Sequence, residues 1–262
     1  MTNGMQRRGG RVALSVSLVG ALLALAACGG GGSKEESGAT TTTERRGSDA
    51  SVLSPATTAP PANGMSQVAT AVGDQVQVYA DASEAQPTTA LDSPNENGAP
   101  LVFLVEQTQG DWLQVLLPIR PNGSTGWIKA SEVEVADNPY RVDIKLTEHR
   151  LVVSKGEEVV ADEPIGVGTS STPTPGGKYY IKELLQPPDP NGPYGHYAYG
   201  LSGFSNVLDE FNGGDGVIGI HGTNDPSTIG SDVSHGCIRL TNDAIDALVP
   251  VLPLGTPVHI EA

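Results

Sequence analysis

Reactive side chains gather in the last third of the chain, in Ile220-His221-Gly222-Thr223 and Ser234-His235-Gly236-Cys237-Ile238-Arg239-Leu240. A thiol attacks a carbonyl as thiolate, and an unperturbed cysteine holds little of that form at neutral pH. An imidazole supplies the remedy by taking the thiol proton and returning it to a leaving group. His221 and Cys237 are separated by a stretch rich in Asn, Asp, Pro, Ser and Gly. A strand ending at His221 could therefore turn back and bring Cys237 alongside. Gly236 lets the backbone before the sulfur bend and approach a substrate. The Cys237 amide, with a neighbouring donor, could hold a developing oxyanion. His235 is the nearer imidazole in sequence. A residue two before the nucleophile on an extended backbone can point elsewhere, which favours His221 as the base. Gly222 has no side chain to orient His221, so a backbone carbonyl must fix its tautomer. Arg239 is either a clamp for a substrate carboxylate or a partner of Asp232 or Asp243. The rival is a zinc site on His221, His235 and Cys237. It wants a fourth ligand, with only Asp225 or Asp232 at hand. The expectation is a site with no metal and no cofactor.

Ser234-His235-Gly236-Cys237 followed by Ile238 and Arg239, with His221 upstream, resembles the signature of the L,D-transpeptidase (YkuD-like) catalytic domain family. Thr172-Pro173-Thr174-Pro175-Gly176-Gly177 is similar to that family's Thr-Pro-x-Gly loop, and Gly213-Gly214 before Ile220 also fits its pattern. The resemblance covers about 140–262. It implies a peptidoglycan enzyme with Cys237 as nucleophile, His221 as proton donor and acceptor, and Ser234, His235, Gly236 and Arg239 in support. Cys237 would attack a donor tetrapeptide stem, release the terminal D-Ala, and pass the acyl group from a thioester to an amine acceptor, making a cross-link. Water as acceptor would make it an L,D-carboxypeptidase, and an outer-membrane protein amine is a third acceptor known in the family. Some members place a hydroxyl residue where Gly222 stands. A non-catalytic wall-binding lipoprotein is the competing reading. A serine D,D-peptidase is disfavoured because no serine is followed three residues later by lysine.

These residues need elements to position them. The chain has 262 residues, 33 of them Gly and 20 Pro, with 15 Lys+Arg against 30 Asp+Glu. Phosphate recognition needs clustered basic side chains, so no nucleic-acid partner is expected. The Gly, Pro, Val and Thr content favours strands and turns over a helix bundle. The expected fold is mainly β: an SH3-like small barrel followed by a YkuD-like β-sandwich or barrel with one or two short helices.

Residues 1–28 read as a lipoprotein signal peptide. Arg7, Arg8 and Arg11 precede the apolar run Val12–Ala26, and Leu25-Ala26-Ala27-Cys28 resembles the bacterial lipobox. Cys28 would then be lipidated, leaving Cys237 without a partner in the chain. The expected location is the outer face of the cell membrane, lipid-anchored and facing the wall, with monomer as the default state. Residues 29–66 are low in complexity and read as a disordered tether. Residues 67–136 hold short alternating stretches at Gln75–Tyr79, Leu101–Val105, Trp112–Leu116 and Gly126–Ile128, with turn chemistry at Arg120-Pro121-Asn122-Gly123. They resemble a bacterial SH3-like domain. Trp112 and Trp127 serve either its core or an aromatic groove for glycan or peptide.

In 140–262, Arg141–Leu146 alternates strictly, as a half-buried strand does. Further strands are expected at Leu151–Val153, Val159–Val160, Lys178–Lys182, Val217–His221 and Val258–Ile260. One helix is expected after a Thr241 or Asn242 cap, with Ile245, Leu248 and Val249 inward and Pro250 ending it. Tyr194, Tyr197 and Tyr199 form either a lid or a loop packing its own aromatics. His149, His196 and His259 show no recognisable partner.

Overall fold

The computed structural model describes residues 57–58, 64–210 and 214–261. Cys28, the whole expected signal segment, and Gly213 lie outside them. The described chain is mainly β. Its first part holds β1 (Thr57–Thr58), β2 (Ser66–Ala71), β3 (Gln75–Val78), β4 (Thr89–Asp92), β5 (Val102–Gln109), β6 (Trp112–Leu116), β7 (Thr125–Lys129) and β8 (Val133–Asn138). The remainder holds β9 (Tyr140–Lys145), β10 (Arg150–Lys155), β11 (Glu158–Pro164), β12 (Val167–Gly168), β13 (Gly177–Leu185), β14 (Ala198–Phe204), β15 (Val217–His221), β16 (Asp232–Ser234), β17 (Ile238–Arg239), the helix α1 (Asn242–Leu248) and β18 (Pro257–Glu261).

The N-terminal sheet runs β7-β6-β5-β2-β8, with β1 added to β5. Thr57 and Thr58, inside the stretch read as a tether, thus pair with Gln109 and Thr108. Alternation decides the faces: Val76, Phe103, Val115 and Ile128 are fully buried in one apolar cluster. Trp127 is buried as well, at 8% exposure. Trp112 stays half-buried, edge-on to Tyr79 at 4.9 Å, with the Lys129 ammonium 5.8 Å from its ring.

The C-terminal sheet runs β11-β10-β9-β18-β13-β14-β15-β17. Val142 and Ile144 of β9, Leu151 of β10 and Val258 of β18 are fully buried, as their period-two placement requires. Against this face lies α1, the single α-helix among the described residues. Thr241 caps it, its hydroxyl accepting from the Ala244 amide at 3.2 Å, and Ala244, Ile245 and Leu248 are buried. Val249, expected within the helix, is its C-cap and packs half-buried against the same core.

β14 was not expected. Gly200 and Gly203 dilute its strand signal, and both are there for contact. A methyl group at Gly203 would strike the Tyr179 ring, and one at Gly200 would strike the Glu183 carboxylate. Tyr199 on this strand is 1% exposed, with its hydroxyl donating to the Leu248 carbonyl at 3.1 Å. It is a core residue and no part of a lid.

The two sheets share an apolar seam of Val68, Val102, Leu104, Leu116 and Tyr180. Polar joins flank it. The buried Glu183 carboxylate accepts from the amides of Asn95 and Asn97, both at 2.9 Å, and buried Asn138 donates to Thr256 at 3.0 Å.

Candidate active site

β15 and β17 are parallel neighbours, with Ile220 beside Ile238 and His221 beside Arg239. Ile220 and Ile238 point into the core. Strand alternation therefore puts Gly219, His221, Cys237 and Arg239 on the opposite face. There a cavity of about 220 Å³ is lined by His221, Cys237, Arg239, Ser234, His235 and Tyr194, together with Ser205, Leu208, Gly216 and Val217. The expected return of Cys237 to the side of His221 is the geometry observed.

The His221 ring is held by main chain. His221 is buried, and its Nδ1 lies 2.6 Å from the Gly222 carbonyl oxygen. A carbonyl only accepts, so Nδ1 carries the proton and Nε2 is left as the basic nitrogen. Tyr194 stands edge-on to the His221 ring at 5.0 Å. The main chain after the ring is fixed from α1, where Asn242 accepts from the Thr223 amide at 3.1 Å. Gly195, with φ of +64°, presses its backbone onto Gly222 from behind, leaving no room for a side chain at either position.

The loop before the sulfur is pinned from three sides. Ser234 Oγ donates to the Cys237 carbonyl at 2.6 Å and accepts from the Gly236 amide at 3.0 Å. Thr172 Oγ1 donates to the Ser234 carbonyl at 3.0 Å. Thr174 Oγ1 donates to the Gly236 carbonyl and accepts from the Gly168 amide, both at 2.9 Å. Gly236 takes φ of +120°, which L side chains rarely adopt, and a methyl there would also crowd Ile218.

Residues 139–260 match the family described as YkuD, the L,D-transpeptidase catalytic domain. A Bacillus licheniformis protein named as an L,D-transpeptidase, YkuD, is 34% identical over 154 residues, covering 56% of this chain and 85% of that protein. Bacillus subtilis YqjB, also named as an L,D-transpeptidase, is 31% identical over 134 residues, covering 47% of this chain and 71% of that protein. The chain belongs to the YkuD family. Among solved structures, an L,D-transpeptidase from Mycobacterium smegmatis is 16% identical with a TM-score of 0.38, covering 58% of this chain and 90% of that one. A Bdellovibrio bacteriovorus protein, Bd1075, is 27% identical with a TM-score of 0.38, and the match spans 47% of this chain and about half, 48%, of that one.

Burial sets the charge state of this YkuD-family pair. It pulls the His221 pKa down to about 4, against the pull of the Gly222 carbonyl and with the help of the Arg239 charge. Burial also pushes the Cys237 thiol up, while a backbone hydrogen bond from Gly219 and the Arg239 charge act the other way. At neutral pH the resting pair is thiol and neutral imidazole.

His235 is exposed at the rim, while its neighbours Ser234 and Gly236 are buried within the loop. Arg239 lines the cavity with its Nε buried and without a hydrogen-bond partner. Among the described residues no ion pair joins it to Asp232 or Asp243. Asp232 pairs instead with His149 at 2.8 Å, and His196 pairs with Asp246 at 2.8 Å. His259 lies 3.8 Å from Glu261. The three histidines expected to lack partners thus each face a carboxylate. Among the described residues no group of three or more His, Cys, Asp and Glu side chains is gathered as a metal site. Of the three tyrosines grouped as a lid, Tyr194 alone lines the cavity. Sequence reading passed over Thr172 and Thr174 as site residues. Their Thr-Pro-Thr-Pro spacing was visible, but not the loop they tie down.

Proposed function

We propose that the protein is a peptidoglycan L,D-transpeptidase working through a Cys237 thioester. The observation that carries the reading is the pairing of β15 with β17. It brings a buried imidazole, its Nε2 left unprotonated by the Gly222 carbonyl, into one cavity with the lone cysteine of the C-terminal sheet. In the first half-reaction Cys237 attacks the amide carbonyl before the terminal D-Ala of a donor stem, and His221 takes the thiol proton. The sulfur–carbon bond forms, the carbon–nitrogen bond breaks, and the imidazolium returns the proton to the departing amine. An acceptor amine then attacks the thioester and loses a proton to His221, the carbon–sulfur bond breaks, and the imidazolium returns that proton to the sulfur, restoring the thiol and the neutral imidazole. Neutral His221 suits this role because it is ready to accept at the start of each half-reaction. The half-buried guanidinium of Arg239, lining the same cavity as the sulfur, suits a carboxylate of the stem peptide.

The same reading puts the protein outside the cell. Residues 1–28 would be removed as a signal, Cys28 lipidated, and the following low-complexity stretch would carry the SH3-like and catalytic parts out into the wall. Incubation with defined tetrapeptide stems, followed by mass analysis, tests the chemistry. Loss of D-Ala with appearance of a cross-linked dimer supports transpeptidation. Tripeptide alone would make water the acceptor, and an unchanged stem would leave a wall-binding protein.

A further inference from the structure

The turn between β6 and β7 was read only as a turn, yet its side chains leave the N-terminal sheet and grip the C-terminal one. Arg120 Nη1 donates to the Ser205 carbonyl at 2.8 Å, and Nη2 donates to the carbonyls of Leu208 at 3.1 Å and Asp215 at 2.9 Å. Its guanidinium carbon lies 4.9 Å from the centre of the Phe204 ring. Two residues on, Asn122 grips the Phe204 main chain from both sides. Its Nδ2 donates to the Phe204 carbonyl at 2.7 Å and its Oδ1 accepts from the Phe204 amide at 2.8 Å. The chain leaving β14 and the chain entering β15 are thereby tied to each other, a tie completed by the Ser205 amide donating to the Gly216 carbonyl at 2.8 Å.

Those two stretches supply Ser205, Leu208, Gly216 and Val217 to the lining of the cavity that also holds His221 and Cys237. The nucleophile's own side is held by a separate set of bonds from Thr172, Thr174 and Asn242. We infer that Arg120 and Asn122 are positioning residues for substrate binding. They fix, from the N-terminal sheet, the wall of the catalytic cavity that a stem peptide must lie against. A planar, forked cation suits the task because one guanidinium reaches several carbonyls in fixed directions, which an ammonium on a flexible stem does not. Loss of the clamp should change the shape of the cavity and leave the thiol and imidazole as they are.

The inference rests on the transpeptidase reading for the identity of the substrate, so its test has one arm that needs no substrate. In the full-length protein, Cys237 is labelled with a small reagent, iodoacetamide, and a bulky one, N-phenylmaleimide, and the rates are read by peptide mass mapping. Their ratio cancels the thiolate fraction and reports access alone. Arg120→Ala and Asn122→Ala should raise the bulky-to-small ratio about fivefold. They should also raise KM for a tetrapeptide stem about tenfold with kcat changed less than about twofold, since a displaced wall weakens binding without touching the reacting groups. Arg120→Lys keeps the charge and the alkyl stem over Phe204 and guards against loss of fold; it should move the ratio the same way by a smaller factor. A wild-type ratio in Arg120→Lys, or ratio and KM both unchanged in folded Arg120→Ala, overturns the inference. A shifted ratio in a protein that releases no D-Ala upholds the clamp and removes the transpeptidase reading instead.

Discussion

In the N-terminal sheet every neighbouring pair of strands is antiparallel, from β1 with β5 through β6 with β7. The C-terminal sheet is mixed: β9 runs parallel to β18, and β15 parallel to β17. Antiparallel neighbours close with short turns, whereas parallel ones need a crossover. The crossover from β15 to β17 carries the proposed catalytic pair, with His221 ending one strand and Cys237 immediately before the other. Its walls have two owners. The loop before Cys237 is bound by Thr172, Thr174 and Ser234, and the lining segments that carry Ser205, Leu208 and Gly216 are bound by Arg120 and Asn122 from the turn between β6 and β7. Chemistry and shape are thus held by separate sets of bonds, and each set can be broken alone.

The sharpest break is Cys237→Ser. It should lower D-Ala release roughly 10⁴-fold or more, since a serine hydroxyl beside the same imidazole is far harder to ionise. Intact-mass analysis after a carbapenem should show one adduct on the parent protein and none on the variant. His221→Ala should cost about 10²–10⁴ in kcat. His235→Ala should cost less than about tenfold, and the reverse ranking would exchange the two roles.

Acidity probes the chemical side without mutation. Folded His221 stays neutral down to about pH 4. The acid limb of kcat/KM in the free enzyme should therefore lie near pH 4 and not near the ordinary histidine value of about 6.5. The unfolded chain binds that proton from about pH 6.5 downward, while the folded chain refuses it until about pH 4. The stabilisation from neutral burial is therefore complete above pH 6.5 and is lost as pH falls through this window. Urea unfolding across it should show a loss on the order of 3 kcal/mol that is absent in His221→Ala.

Thr174→Val keeps the shape but leaves the Gly168 amide and Gly236 carbonyl without that partner. A loss of about 1–3 kcal/mol in the free energy of urea unfolding, with a fall in kcat, is expected. Trp112→Ala should be the mildest, costing about 0.5–1.5 kcal/mol for the Tyr79 edge contact with kcat within about twofold.

The reach of the sequence follows the same division. Alternation at Arg141–Leu146, the Thr241 cap, and Ser234-His235-Gly236-Cys237 with upstream His221 were legible because each is local or has a fixed spacing. β14 was hidden because Gly200 and Gly203 make way for Glu183 and Tyr179, residues about twenty positions earlier on another strand. The roles of Thr174 and Arg120 were hidden for a related reason: a threonine in a Pro-rich loop and an arginine in a turn look ordinary until their distant carbonyls are known. The carboxylates opposite His149 and His196 likewise lie far along the chain. The depressed basicity of His221 was hidden as well, because residue types show hydrogen-bond chemistry but not the loss of water around a ring.

Most catalytic histidines are steered by an acidic side chain that a designer could swap. Here a peptide oxygen does the steering, and it neither titrates nor mutates. With Gly195 lodged behind Gly222, retuning the ring's basicity would mean rerouting the polypeptide itself.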